Sequence, residues 1–283
     1  MKKTMSRAAV LAMLGAALAA LGLLVAPGAQ AQQATQTYDV TIENLTDGQP
    51  FTPPVVVAHS DAIDIFQTGE AASSELIQIA ENGNNDPMVA LLSASSDVID
   101  YATGSAPIKP GESATLSIDA MPGDKLSAAF MLICTNDGFS GVDSLALPVS
   151  GSQSVDGNAY DAGSETNTED FVDIVPPCQA LVGVMSDDPG TGESNPALAE
   201  GGVISMHAGM QGGTDLTVAD HGWTDPVARI TVAVQPAGGL PSSGTGLGDA
   251  GTNFGWTLYA AAAGALLVIL GGATFAASRR SVN

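Results

Sequence analysis

The run from Leu126 to Cys134, LSAAFMLIC, constrains the fold of this chain most. It is short, nearly free of polar groups, and ends in the turn Thr135–Phe139, TNDGF. An apolar run of this length bounded by turn residues reads as a strand buried on both faces. Such a strand is central to its sheet and covered on either side.

The segments around it alternate. Tyr38, Val40 and Ile42 are interleaved with Asp39, Thr41 and Glu43, and Ala114, Leu116 and Ile118 with Thr115, Ser117 and Asp119. Ala228, Ile230, Val232 and Val234 are interleaved with Arg229, Thr231 and Ala233. Each pattern predicts a half-buried strand. Pro53–His59, Val142–Val149 and Val203–Met210 read as further strands, with the prolines of the first at its start, where a missing N–H is tolerated. Ser74–Glu81 places Leu76, Ile77 and Ala80 on one helical face, and Asp86-Pro87 reads as an N-cap followed by proline, opening a second short helix through Leu92. Asn82–Asn85 separates the two. Gly151–Gly157 reads as a loop, and Asp187–Gly202, which has no periodicity, as a mobile loop. Short strands punctuated by Gly, Pro, Asn and Asp predict an all-β sandwich with short helical insertions, as one domain over 32–235. Asn44-Leu45-Thr46 fits the glycosylation pattern, a three-residue match of little weight.

The two ends read differently. A basic start (Lys2, Lys3, Arg7), an apolar run from Ala8 to Ala26 and Ala29-Gln30-Ala31 predict a secretory signal peptide over 1–31. Residues 236–255 turn to Gly, Ser, Thr and Pro, the composition of a flexible tether. Trp256–Ala277 is an uncharged run of 22 residues, long enough to cross a bilayer as a C-terminal transmembrane helix. Arg279 and Arg280 place the tail 278–283 in the cytoplasm. The expectation is an exported chain, anchored in the cell membrane with its ectodomain outside. Leu240-Pro241-Ser242-Ser243-Gly244 resembles a sortase sorting motif with serine where threonine is usual, so attachment to the cell wall is the alternative.

All 30 acidic residues lie between these ends, against three basic ones, Lys109, Lys125 and Arg229. So acidic a surface does not track a phosphate backbone, which excludes a nucleic-acid partner. It attracts cations. Two acidic turns stand out: TNDGF with Asp137, and Tyr160–Phe171 (YDAGSETNTEDF) with Asp161 and Glu165. Asp161 and Glu165 are four apart, so a helical turn or tight loop places both on one side. A hard cation such as calcium needs several converging oxygens; solvated loops are the alternative reading. Cys134 and Cys178 are the only cysteines. An even count outside the membrane invites a disulfide, two buried thiols being the other possibility. His207, Asp220 and His221 are the candidates for a rival reading, a secreted metal-dependent hydrolase. They lack H-E-x-x-H spacing, and no G-x-S-x-G elbow occurs. Trp223 reads as corner packing and Arg229 as the partner of a carboxylate.

TNDGFSG (Thr135–Gly141), YDAGSETN (Tyr160–Asn167) and HGWTDPVARITV (His221–Val232), in that order, resemble the spondin domain, the N-terminal module of F-spondin. The resemblance covers roughly Tyr38–Gln235. It implies a C2-like β-sandwich holding a calcium ion (Ca2+) in acidic loops, with metal ligands at Asp137, Asp161 and Glu165. The third position is aspartate in the animal protein and glutamate here. It implies a non-enzymatic adhesion or interaction module whose partner is an extracellular protein or surface. The thrombospondin-type repeats of the animal protein do not follow in this chain, so matrix or heparin binding is not carried over.

Overall fold

The computed structural model describes residues 34–183 and 186–236. The signal peptide, nearly all of the tether, the sorting-like motif Leu240–Gly244 and the apolar span Trp256–Ala277 lie outside the described residues. Among the described residues no helix is long and apolar enough to cross a membrane.

Two antiparallel sheets face each other. The first has the order β4 (Ser113–Ala120), β1 (Gln36–Asn44), β10 (Ala228–Val234), β7 (Ser152–Gly157). The second has the order β3 (Val98–Thr103), β2 (Val55–His59), β5 (Lys125–Met131), β6 (Gly138–Ala146), β8 (Tyr160–Asp161), β9 (Ser205–Met206). The alternation read in the sequence becomes register: Val40 pairs with Val232 on one side and Leu116 on the other. Tyr38, Val40, Ile42, Ile118, Ile230 and Val232 meet Val56, Ala58, Leu126, Ala128 and Phe130 of the second sheet in one buried core. The outward residues pair across strands instead, as Thr41 with Thr115 at 2.8 Å. This is an all-β sandwich with a few short helices.

β2 and β5 are the strands buried on both faces. Their second face, with Val55, Val57 and Ala129, packs under Leu76, Ile79, Ala80, Met88 and Leu92. Those residues belong to α1 (Ser74–Asn82) and α2 (Asp86–Ala94). Ser73 caps α1 by accepting from the Leu76 amide at 3.1 Å, and Gly83 closes it in the left-handed conformation at φ 64°. Asp86 is not the cap expected of it; Asn85 holds that position, and the Asp86 amide donates to Asn84 Oδ1 at 3.0 Å.

β5 leaves its ladder after Met131, although Leu132, Ile133 and Cys134 stay buried. Leu132 stays in the main core, while Ile133 and Cys134 enter a third cluster with Phe171, Ile174, Val175 and Leu216 beside α3 (Pro177–Val182) and α4 (Val218–His221). Three readings need correction. Gly151–Gly157 is not a loop but β7, a polar edge strand on which Val155 alone turns to the core. The strand read as Val142–Val149 begins at Gly138, because Phe139 pairs with Met131 directly across the TNDGF turn. Val203–Met210 is strand only at Ser205–Met206. β3, an edge strand with no fully buried residue, had no signal strong enough to read.

Candidate cation site

The TNDGF turn folds on its own side chains. Thr135 Oγ1 donates to the Leu132 carbonyl at 2.6 Å and accepts from the Gly138 amide at 2.9 Å. Asn136 zips the turn to the second acidic loop, donating to Thr168 Oγ1 at 3.2 Å and accepting from the Thr168 amide at 3.0 Å. Asp137 is left pointing inward with no exposed surface.

The second loop is built to meet it. Asp161 pairs with Gly138 at the end of β6, and Ala162 donates its amide to the Asp137 carbonyl at 3.2 Å. Asp161 Oδ1 then accepts from the Gly163 amide at 2.7 Å, turning the chain back, while Oδ2 accepts from Asn167 Nδ2 at 2.7 Å. Gly163 lies at φ 68°, and a Cβ there would stand 2.6 Å from the Val203 amide nitrogen. Glycine is therefore required on both counts. Beyond it, the amides of Ser164 and Glu165 and the Ser164 hydroxyl all donate to Asp137 Oδ2, at 2.8, 3.0 and 3.2 Å. Asp161 and Glu165 thus share a tight loop, not a helical turn.

Asp137 Oδ1 is buried and has no hydrogen-bond partner among the described residues. Burial, with the Asp161 charge behind it, pushes the Asp137 carboxyl up to about 6 despite the three donors on Oδ2. Glu165 is 4% exposed, and its Oε1 accepts from the Asn195 amide at 2.5 Å. Burial raises it to about 7, against that hydrogen bond and with help from the charges of Glu81, Asp137 and Asp173. Among the described residues, every ion pair lies elsewhere: Lys125 on Asp61 at 3.2 Å, Arg229 on Asp156 at 3.0 Å and on Glu43 at 4.0 Å. Among the described residues, no lysine or arginine pairs with a carboxylate of these loops. An all-oxygen donor set of this kind, with one buried lone oxygen, suits a hard cation. The three carboxylates are drawn into one loop pair, yet their oxygens do not all stand within 4.8 Å of one another.

Asp187–Gly202, read as a mobile loop, is laid along the site. The Thr166 amide donates to the Leu198 carbonyl at 2.8 Å and the Gly202 amide to the Gly163 carbonyl at 2.7 Å. Asn195 also donates its side-chain amide to Asp173 Oδ1 at 3.2 Å. Sequence reading missed Asn136, Asn195, Glu81 and Asp173 as neighbours of the site. Only Asn136, inside TNDGF, carried a local signal.

Cys134 and Cys178 are joined in a disulfide, Cα–Cα 5.1 Å, behind the first turn. Gln49 braces the same corner: its Oε1 accepts from the Cys134 amide at 3.1 Å and its Nε2 donates to the His221 carbonyl at 2.6 Å. Among the described residues, Cys134, Cys178 and His221 form the one group whose candidate ligand atoms all lie within 4.8 Å. It is not a metal centre in this state. The sulphurs are bonded to each other, and His221 Nδ1 accepts from the Thr217 amide at 3.0 Å. Burial holds His221 below the usual histidine range, so the neutral ring carries its proton on Nε2.

His207 is arranged in the same way. Its Nδ1 accepts from the Gly209 amide at 3.0 Å, its ring stands edge-on to Trp223 at 5.0 Å, and burial lowers its pKa against the charges of Asp161, Glu169 and Asp225. Asp220 is exposed and bonded to Thr217 Oγ1 at 2.8 Å. Neither His207 nor His221 shares a hydrogen bond with a carboxylate among the described residues. Trp223 is corner packing and Arg229 a carboxylate's partner, as read. Asn44 of the glycosylation pattern is 1% exposed, its amide donating to the Gln49 and Ile108 carbonyls at 2.7 and 2.9 Å.

No protein-family model matches the chain, and no curated protein sequence matches it.

Proposed function

We propose that the domain is a calcium-binding, non-enzymatic surface module of the spondin type, with a C2-like sandwich as its scaffold. The observation that carries this reading is Asp137: a carboxylate with no exposed surface, one oxygen saturated by three donors, and, among the described residues, no partner for the other oxygen and no ion pair. Asp137 and Asp161 would hold the ion, with Glu165 at the mouth of the loop. A bound divalent cation supplies the positive charge that the described residues lack there and cross-braces loops that otherwise repel one another.

The chain's own residues do the rest. Asn136 and Thr168 hold the two loops in register, Gly163 permits the turn, and the disulfide fixes the strand end from which Asp137 projects. The setting is extracellular, with the chain exported and tethered through its C-terminal apolar span, cell-wall attachment being the alternative. The partner is an extracellular protein or surface engaged by the braced loops.

Thermal melting of the full-length chain in mild detergent tests the cation reading. Calcium in hundredfold excess over its dissociation constant stabilises by about 2.7 kcal/mol. That corresponds to a rise of roughly 5–10 °C for a domain of this size. Magnesium, which demands stricter geometry, should give a smaller rise. An unchanged melting temperature after EDTA treatment and calcium addition contradicts the proposal.

A further inference from the structure

The helical layer over the second sheet is open along one edge. Met88, Leu91, Leu92 and Ser95 fall at i, i+3, i+4 and i+7 along α2 and its cap, the spacing of a single helix face. Met88 and Leu92 are buried in the cluster beneath the helices, but Leu91 is 51% exposed. Facing them, the segment after β2 brings the half-buried Ile63 and the buried Ile65. Between helix and segment lies an apolar groove of about 260 Å³, with the exposed Asp64 in its wall.

That wall is fixed from behind. The Ile65 amide donates to Asp143 Oδ1 at 2.7 Å, and Ser144 Oγ donates to Asp64 Oδ1 at 3.3 Å. Asp143 Oδ1 is itself 3.1 Å from Ser127 Oγ, which is 2.7 Å from His59 Nε2. His59 and Ser127 have no exposed surface, and His59 Nδ1 donates to the Ser60 carbonyl at 2.7 Å. The Ser60 amide donates to the Asp97 carbonyl at 2.9 Å, tying the segment to the chain just beyond α2. The groove is therefore preformed, and a ligand need not order it.

Its volume and charge select the occupant. At about 260 Å³ it falls below the roughly 300–1,000 Å³ of small-molecule sites and suits one or two anchoring side chains. Lys125 is already paired with Asp61 at 3.2 Å, and among the described residues no lysine or arginine pairs with Asp64. A second copy of the chain would set its own acidic surface against this one, which disfavours self-association. We propose that the groove docks a basic, leucine-bearing peptide segment of another protein. Its apolar side chains would seat against Ile63, Ile65, Leu91 and Leu92, with a lysine or arginine over Asp64. The surface shares no residue with the cation site and does not rest on the calcium reading.

Fluorescence anisotropy with the full-length chain in phosphatidylcholine nanodiscs tests it, in EDTA so that the outcome is separate from calcium binding. The probe is a labelled leucine–lysine peptide of about fourteen residues with its leucines at helical spacing. Comparison peptides carry serine for leucine or glutamate for lysine, and empty nanodiscs give the background. The expected result is saturable binding of the leucine–lysine peptide alone. Leu91→Ser should weaken it about fivefold, and Asp64→Asn about threefold with a shallower salt dependence. Met121→Ser, at another exposed apolar residue, should leave it unchanged. Melting curves check the fold; should Leu91→Ser fail to fold, Asp64→Asn carries the same test. Equal binding of the serine peptide, or binding indifferent to both groove variants, reveals diffuse attraction to an acidic surface and overturns the proposal. Equal binding of the glutamate peptide, or no binding at millimolar peptide, overturns it too. A dimer in sedimentation that Leu91→Ser disperses would make the groove a self-contact and overturn it likewise.

Discussion

Asp137 shows how much one buried charge can dictate. Its carboxyl titrates at about 6 and that of Glu165 at about 7, both above their ordinary values. A raised carboxyl means that the folded chain binds more protons than the unfolded one between the unfolded pKa, near 4, and the folded value. Without calcium, stability is therefore expected to fall as pH rises from about 4 to 7, by roughly 3 kcal/mol for Asp137 alone. Urea titrations in EDTA at several pH values measure this. Asp137→Asn should flatten the lower part of that slope, and saturating calcium should remove most of it, since a bound cation favours the ionised form. Stability that rises with pH over this window contradicts the account. Asp137, Asp161 and Glu165 were legible in the sequence because two acidic turns stand close along the chain. Glu81 and Asp173 were not. Glu81 closes a helix more than eighty residues before Glu165, and only tertiary packing brings it there.

Elements with a clean period could be read; those without one could not. The alternation of β1, β4 and β10 and the two-faced apolarity of β5 translated directly into register and burial. β7 (SQSVDG) could not be read, because an edge strand turns one apolar residue inward and leaves the rest to solvent. β6 was displaced because its first residues, Gly138 and Phe139, belong to a turn motif in sequence and to a ladder in space. The Asp161–Glu165 loop depends on Gly163. Gly163→Ala should cost at least about 1–2 kcal/mol for the left-handed backbone alone, with the clash at Val203 added. It should weaken calcium binding in step, as melting curves and calorimetry can record. The Cys134–Cys178 bridge spans 44 residues and encloses both acidic turns. In the chain-entropy model its removal costs about 4 kcal/mol. Cys134→Ser with Cys178→Ser should lower the denaturation midpoint accordingly, and calcium should recover part of the loss by ordering the same loops.

At the scale of the whole molecule the dominant fact is charge imbalance: 30 acidic groups against three bases between the two apolar ends, with two of those bases committed to ion pairs away from the candidate site. Self-repulsion on this scale weakens a compact state, and cations relieve it both diffusely and at particular sites. The two modes separate experimentally. Monovalent salt screens all exposed carboxylates alike and acts gradually up to high concentration. A bound divalent ion acts at low concentration and only through its ligands. The sandwich itself was legible in the hydrophobic pattern; the approach of Glu81 and Asp173 to Glu165 was not, because it is set by tertiary packing and loops. The most direct measurement is therefore the calcium dependence of the melting temperature of the full-length chain, wild type beside Asp137→Asn, at fixed ionic strength and pH 7.5. The account predicts a rise of roughly 5–10 °C for the wild type at hundredfold excess calcium and little or none for the variant. An equal rise in both, or none in either, would contradict it.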